Sequence, residues 1–183
     1  SNGCIGAPVQ VSVNVNPTPE FFGTPTQLPI CSGDTTSIVL TPSLSGTTFS
    51  WTVAQNGVSG ASIGNGNTIF QILETTGSTF GTAIYTVTPA LNSCLGSPIT
   101  IPVTVNPLPL PIINDGIICA DAAGIPLRTY ILDSGLNAAD YTFQWFLNGI
   151  PQSGAASTFE ALEDGNYSVI ATNILTLCKS VEV

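Results

Sequence analysis

The sequence predicts an all-β chain of tandem Greek-key β-sandwiches, on the strength of three observations. Val, Ile, Thr and aromatic residues alternate with small polar ones in short runs, the period of a strand with one buried face. The 14 prolines and 18 glycines break those runs so often that a helix of ordinary length is hard to place. A block also recurs: residues 2–19 read NGCIGAPVQVSVNVNPTP and residues 92–109 read NSCLGSPITIPVTVNPLP, a spacing of about 90 residues. A period of that size means repeated modules rather than one large fold.

Each copy of the block is an alternating strand followed by a Pro-rich joint, the end of one module and the linker to the next. Residues 1–16 therefore read as the trailing strand of a preceding repeat, 17–106 as a first complete sandwich and 107–183 as a second, shorter one. The leading strand is expected to pair with another chain or to pack on the first module, because an unpaired apolar strand is a template for association. In the first module strands are predicted near 27–31, 36–42, 47–54, 68–74, 82–89 and 98–105. In the second they are predicted near 110–114, 126–132, 141–147, 157–162, 166–172 and 179–183.

Aligning the modules sharpens the fold. Thr48-Phe49-Ser50-Trp51 matches Thr142-Phe143-Gln144-Trp145, and Gly81 to Val87 matches the shorter Gly165 to Val169. A Trp on the third strand and a Tyr opening the sixth form an immunoglobulin-like pattern. Trp51 and Trp145 are expected between the sheets, and the hydroxyls of Tyr85 and Tyr167 are expected to bond to loop backbone.

The five cysteines fall at 4, 31, 94, 119 and 178. Each complete module has one before its second strand and one after its sixth, so Cys31–Cys94 and Cys119–Cys178 are the pairings expected first. Cys4 is the copy of Cys94 and is left unpaired by truncation. Against the within-module pairing, those two turns lie at opposite poles of an immunoglobulin sandwich, whereas a bridge needs Cα atoms within about 7 Å. The alternative is Cys31–Cys178, between modules. Bridges of either kind imply an oxidising, extracellular setting.

The net charge of −9 sets 11 acidic residues against two basic ones, Arg128 and Lys179. Without clustered Lys and Arg, neither nucleic acid nor an anionic membrane surface is a partner, and no membrane insertion is expected. The absence of His removes the common general base and most transition-metal sites. Glu160, Glu163 and Asp164 are close in sequence, but Glu163-Asp164-Gly165 before a strand reads as a turn rather than a hydrolytic pair. Residues 60–66 lack the helix and Lys of a phosphate loop. No catalytic residue, metal ligand or cofactor is assigned; calcium held at a module junction by Asp115, Asp121 and Asp164 is the one cofactor weighed.

The strings ICSGDTTSIVLTP, TTFSWTVAQNGVSGAS and GTAIYTVTPALNSCLGSPITIPVTVNPLP resemble the PKD-like repeats of large Bacteroidota cell-surface proteins, notably the SprB-type gliding-motility adhesins. The second module, with YTFQWFLNGIPQSGAASTFEALEDGNYSVIATN, resembles their immunoglobulin-like repeats. The resemblance implies export by the type IX secretion system, attachment at the cell surface and a part in adhesion or gliding. It brings no catalytic motif to match. The expected function is a structural repeat of a secreted adhesin whose partners are neighbouring repeats of the same polypeptide. Lateral self-association through the N-terminal strand is a further expectation. The alternatives are a binding module for surface polysaccharide or protein, using the 55–67 loop or the edge strands, and an accessory module of a secreted hydrolase.

Overall fold

The computed structural model describes residues 7–22 and 26–183. Among these described residues fifteen strands follow in order. The first module holds β1 (Ile30–Cys31), β2 (Ile38–Val39), β3 (Thr48–Asn56), β4 (Val58–Ser59), β5 (Gly64–Asn65), β6 (Thr68–Ile69), β7 (Glu74–Thr75), β8 (Gly81–Leu91), β9 (Cys94–Leu95) and β10 (Ile99–Asn106). The second holds β11 (Tyr130–Asp133), β12 (Tyr141–Leu147), β13 (Ile150–Pro151), β14 (Thr158–Ala161) and β15 (Tyr167–Asn173). The chain is all-β, as its patterning predicts.

In the first module the main sheet runs β1-β10-β8-β3-β5, with β9 turned back on β8. It faces a small sheet of β2 and β6. Strands paired out of sequence order, β2 with β6 and β3 with β8, give the Greek-key crossing of a sandwich. The first strand, β1, lies parallel to the last, β10, with Ile30 opposite Val105 and Cys31 opposite Asn106. Alternation sets which residues turn inward. Ala83, Tyr85 and Val87 of β8, Ile101, Val103 and Val105 of β10, and Phe49 and Trp51 of β3 meet Ile38, Leu40, Ile69 and Leu73 in one core. The second module repeats the plan on a smaller scale, with sheets β11-β14 and β13-β12-β15 around Leu132, Phe143, Trp145, Val169 and Ala171.

The two tryptophans are anchored by the same device. The Nε1–H of Trp51 donates to the Ser62 carbonyl at 3.1 Å and that of Trp145 to the Ala156 carbonyl at 2.9 Å, each acceptor lying 11 residues downstream. A buried indole needs a partner for its N–H, and in both modules the segment after β3 or β12 supplies it. The tyrosines differ. The hydroxyl of Tyr167 donates to the Glu163 backbone carbonyl at 3.0 Å. That of Tyr85 donates to the side-chain Oε1 of Gln71 at 2.8 Å, so the expected bond to loop backbone is corrected there. Gln71 in turn donates to Ser62 and accepts from the Ser62 N–H, which ties the loop to the core through side chains.

Burial pushes the Tyr85 phenol up to about 12. Because the folded chain holds this proton above the ordinary value near 10, the stability it contributes is complete below about pH 10 and declines as pH rises toward 12. A phenolate absorbance titration, taken as the difference between the native chain and Tyr85→Phe, should show its midpoint near 12; a midpoint near 10 would contradict the buried setting.

Several predicted strands are shorter or absent, for physical reasons. Residues 7–16 form no strand, and Val9, Val11, Val13 and Val15 are 81–91% exposed. The strand expected there neither packs on the first module nor finds a ladder partner among the described residues, which is the reason it does not form. Residues 110–114 are likewise no strand: Pro107, Pro109 and Pro111 delete the N–H of every second residue, leaving a bond such as Ile112 N–H to the Ser134 carbonyl. Residues 179–183 bond to β15 through Ser180 and Val183 without closing a continuous strand. The 55–67 segment, read as a loop, is instead stitched down by β4 pairing with β7 and β5 pairing with β3.

Gly60 shows why that segment lies where it does. Its φ is +93°, and a Cβ there would strike the Ile72 carbonyl oxygen. Gly60→Ala should therefore cost about 2 kcal/mol or more, read as a lower urea midpoint for the first module. Gly33→Ala makes the control, since Gly33 has φ +91° but open space around it. Equal losses at the two positions would rule out the backbone contact as the cause.

Candidate functional site

The residues that distinguish this molecule from a pair of independent sandwiches lie at the joint. Cys31 ends β1 beside Asn106, the last residue of β10, and its turn is tightly held. The Asp34 carboxylate accepts the Cys31 N–H at 3.0 Å, Asp34 N–H donates back to the Cys31 carbonyl, and Gly33 N–H donates to Leu73. In the second module Cys178 closes a hairpin after β15. Asn173 builds that hairpin: its side-chain oxygen accepts from Leu175 and Thr176 at 2.9 Å, and its own N–H donates to the Cys178 carbonyl. Leu177 takes φ +60° to complete the turn. The two turns face each other across Pro107–Leu110, and Cys31 and Cys178 are joined by a disulfide with Cα atoms 5.5 Å apart.

The pairing Cys31–Cys94 and Cys119–Cys178 is thereby corrected, and the strand register supplies the reason. Cys31 lies against Asn106, whose neighbour Val105 is opposite Gly81 at the start of β8, while Cys94 is opposite Leu91 at its end. At about 3.3 Å per residue that is roughly 30 Å of strand, far beyond the reach of a disulfide. Cys94 is half-buried and Cys119 exposed, both as thiols; Cys4 lies outside the described residues. The bridge closes a loop with a sequence separation of 147. In the chain-entropy picture such a loop contributes roughly 5 kcal/mol as an upper bound, shared between two modules.

Other predicted site residues fall as follows. Trp51, Trp145 and Tyr85 are buried in the two cores, and Tyr167 is half-buried at the edge of the second. Asp115 and Asp164 line a cleft of about 410 Å³ at the end of the second module remote from the joint, with Gly116, Tyr130 and Glu163. The Asp121 side chain accepts from the N–H groups of Ala123 and Ile125. Asp115 and Asp164 thus share one cleft, and Asp121 is not among the residues that line it. Among the described residues no three Cys, Asp or Glu side chains gather as metal ligands. Nor is any helix there long and apolar enough to cross a membrane.

Residues 28–109 match the PKD-like domain family. Comparison with curated proteins gives no match. Among solved structures, a titin I-band fragment is 12% identical with a TM-score of 0.40, covering 92% of this chain and 64% of that one. The Ig1-2 module of the Drosophila receptor tyrosine phosphatase DLAR is 14% identical with a TM-score of 0.30, covering 90% of this chain and 96% of that one. The FN1-FN3 domains of chicken CNTN1 are 11% identical with a TM-score of 0.37, covering 91% of this chain and 65% of that one. The chain thus spans less than two-thirds of the length of the titin fragment.

The first module, which holds the segment that matches the PKD-like family, carries a second feature on the outer face of its main sheet. Thr52, Thr86 and Thr100 stand side by side across β3, β8 and β10, as do Asn56, Thr82 and Thr104, with Ser50 beside Thr88. No charged residue occurs on these three strands. Between the two rows lies an apolar one, Ala54, Ile84 and Pro102, so the face is uncharged and only partly hydroxyl-lined. The alternating threonines are visible in the sequence, but their alignment into rows depends on register. PKD-like modules are typically non-catalytic and serve as structural or binding repeats, and the disulfide fits an extracellular location.

Proposed function

We propose that this chain is a stiffened spacer of a secreted cell-surface adhesin, two tandem modules held in a fixed relation by a covalent staple. The observation that carries the reading is the Cys31–Cys178 bridge across the Pro107–Pro111 joint. Domains joined by a short linker move relative to each other by default. Here the linker is stiffened by alternate prolines, and a second covalent connection lies beside it, so rotation about the joint is opposed at two points. The recurrence of the Asn-Pro-x-Pro joint at residues 16–19 and 106–109 suits an array in which such joints repeat. The resemblance to gliding-motility adhesins supports export to the cell surface and a part in attachment or gliding. Neighbouring repeats of the same polypeptide are then the partners.

The test measures the distance distribution between labels on the exposed faces of the two modules, in the intact chain and in Cys178→Ser. A narrow distribution that broadens severalfold on losing the bridge supports the spacer; equal widths would overturn it. The uncharged face of β3, β8 and β10, with threonine rows either side of Ala54, Ile84 and Pro102, favours a second reading, recognition of a neutral polymer surface such as a polysaccharide. Saturable binding of the folded chain to a glycan panel, abolished by Thr52→Lys with Thr86→Lys, would move the assignment to a binding module.

A further inference from the structure

The two remaining thiols in the described structure occupy the same places as the bridged pair, each in the other module. Cys119 corresponds to Cys31: both follow an Ile, both precede the strand that opens the smaller sheet of their module (β2 in one, β11 in the other), and both are followed by a turn with an Asp side chain in it, Asp34 accepting from Cys31 itself and Asp121 from Ala123 and Ile125. Cys94 corresponds to Cys178, since β3 meets β8 with Trp51 opposite Val87 while β12 meets β15 with Trp145 opposite Val169. Each of these cysteines then closes the hairpin that follows its strand.

Their positions along the modules agree with this correspondence. The hairpin of Cys94 lies beside the incoming joint of its own module: a Cβ on Gly96 would strike the Pro19 carbonyl. The hairpin of Cys178 lies beside its own incoming joint, where Thr176 and Asn173 share a cleft with Pro107–Leu110. At the other end, Cys31 sits at the exit of its module, where the Ser32 hydroxyl accepts from Thr75. Cys119 sits at the exit of the second module, where its neighbour Ile118 lines the cleft formed with Glu163, Asp164 and Tyr167. Cys94 therefore faces back along the chain and Cys119 faces forward, with two modules between them.

We infer that Cys94 and Cys119 are half-staples: each forms a disulfide with an adjoining module of the same kind, Cys94 with the exit cysteine of the module before and Cys119 with the hairpin cysteine of the module after. The inference rests on the spacer reading for its use, but the bonding pattern stands or falls separately. Each bridge forms by thiol–disulfide exchange with a small disulfide oxidant such as oxidised glutathione. The Cys119 thiolate attacks it, forming a mixed disulfide and releasing one glutathione thiolate. The partner thiolate then attacks the Cys119 sulfur and releases the second. Two protein thiols lose two electrons, and one glutathione disulfide becomes two glutathione thiols.

The test lengthens the full chain by one module. Val183 exchanges backbone bonds with Val169 as Ile99 pairs with Val87, so a copy of residues 100–183 appended after Val183 continues the last strand in register. The three-module chain is refolded with reduced and oxidised glutathione, alkylated, digested without reduction and mapped. The expected result is a peptide joining Cys119 to the appended copy of Cys178, beside the native Cys31–Cys178 peptide. Replacing the appended copy of Cys178 by Ser should leave Cys119 alkylated. The inference is overturned if Cys119 is alkylated while Cys31–Cys178 has formed, or if Cys119 is joined to any other cysteine. It is overturned equally if Cys31–Cys178 itself does not form, since that bond is its template. The label-distance measurement on the two-module chain reads the spacer function independently of all these outcomes.

Discussion

Stretched by its two ends, the oxidised chain should lengthen by only a small part of its contour. Force entering at residue 1 reaches Cys31, crosses the disulfide to Cys178 and leaves at Val183, so the segment between them carries none of it. That segment has a sequence separation of 147, and an extended chain spans about 3.3–3.6 Å per residue, so about 500 Å of contour is withheld from the force path. Force spectroscopy in oxidising buffer should show neither of the two module-length unfolding steps. Adding a reductant should release about 500 Å. Cys178→Ser should behave as the reduced chain without any reductant. Full module-length steps in the oxidised native chain would show that the bridge is not between Cys31 and Cys178. The expected effect is large because it is geometric: a covalent bypass acts whatever the stability of the modules it spans.

Trp145→Ala should unfold the second module or bring it to the edge of unfolding. Trp145 has no exposed surface, packs on Phe159 with ring centroids 5.6 Å apart and donates its Nε1–H to Ala156. Removing it leaves a cavity in a core of six buried residues and strands a carbonyl, at a cost of about 4 kcal/mol. Domains of this size are stable by only about 5–15 kcal/mol, and a small core sits at the low end. Hydrogen exchange should rise throughout β12 and β15 while β3, β8 and β10 keep their protection. The bridge should also suffer. With the Asn173 hairpin unformed, Cys178 is no longer held beside Cys31, and refolding in a glutathione buffer should yield a mixture of pairings. Unchanged protection in β12 and β15 would mean that Trp145 is not the centre of that core.

The core was legible in the sequence because burial and strand period are local. Phe49 and Trp51 alternate with Ser50 and Thr52, and Ala83, Tyr85 and Val87 alternate with Thr82, Ile84 and Thr86. An alternation of that kind can be satisfied only by a strand with one dry face. The repeat located the joint for the same reason, since Asn-Pro-x-Pro imposes an extended path wherever it stands. Three features were not legible. The bond from Tyr85 to Gln71 joins residues brought together by the sandwich, not by chain spacing. The threonine rows need the register of three strands. The leading Val run has the pattern of a strand, yet no ladder forms on it among the described residues, because a strand is a property of two segments and not of one.

The cysteines mark the boundary between the two kinds of information most clearly. By itself the sequence determined that the chain is all-β, that it repeats, which side chains are buried in each unit, and that two cysteine positions recur in each module. The alternatives Cys31–Cys94 and Cys31–Cys178 both fit that spacing. Only the tertiary structure decided between them. The β8 strand sets Cys31 and Cys94 roughly 30 Å apart, whereas two held turns at the joint bring Cys31 and Cys178 to 5.5 Å. A disulfide forms between thiols that the fold holds in contact, and distance in space is the one quantity that a repeat pattern does not contain.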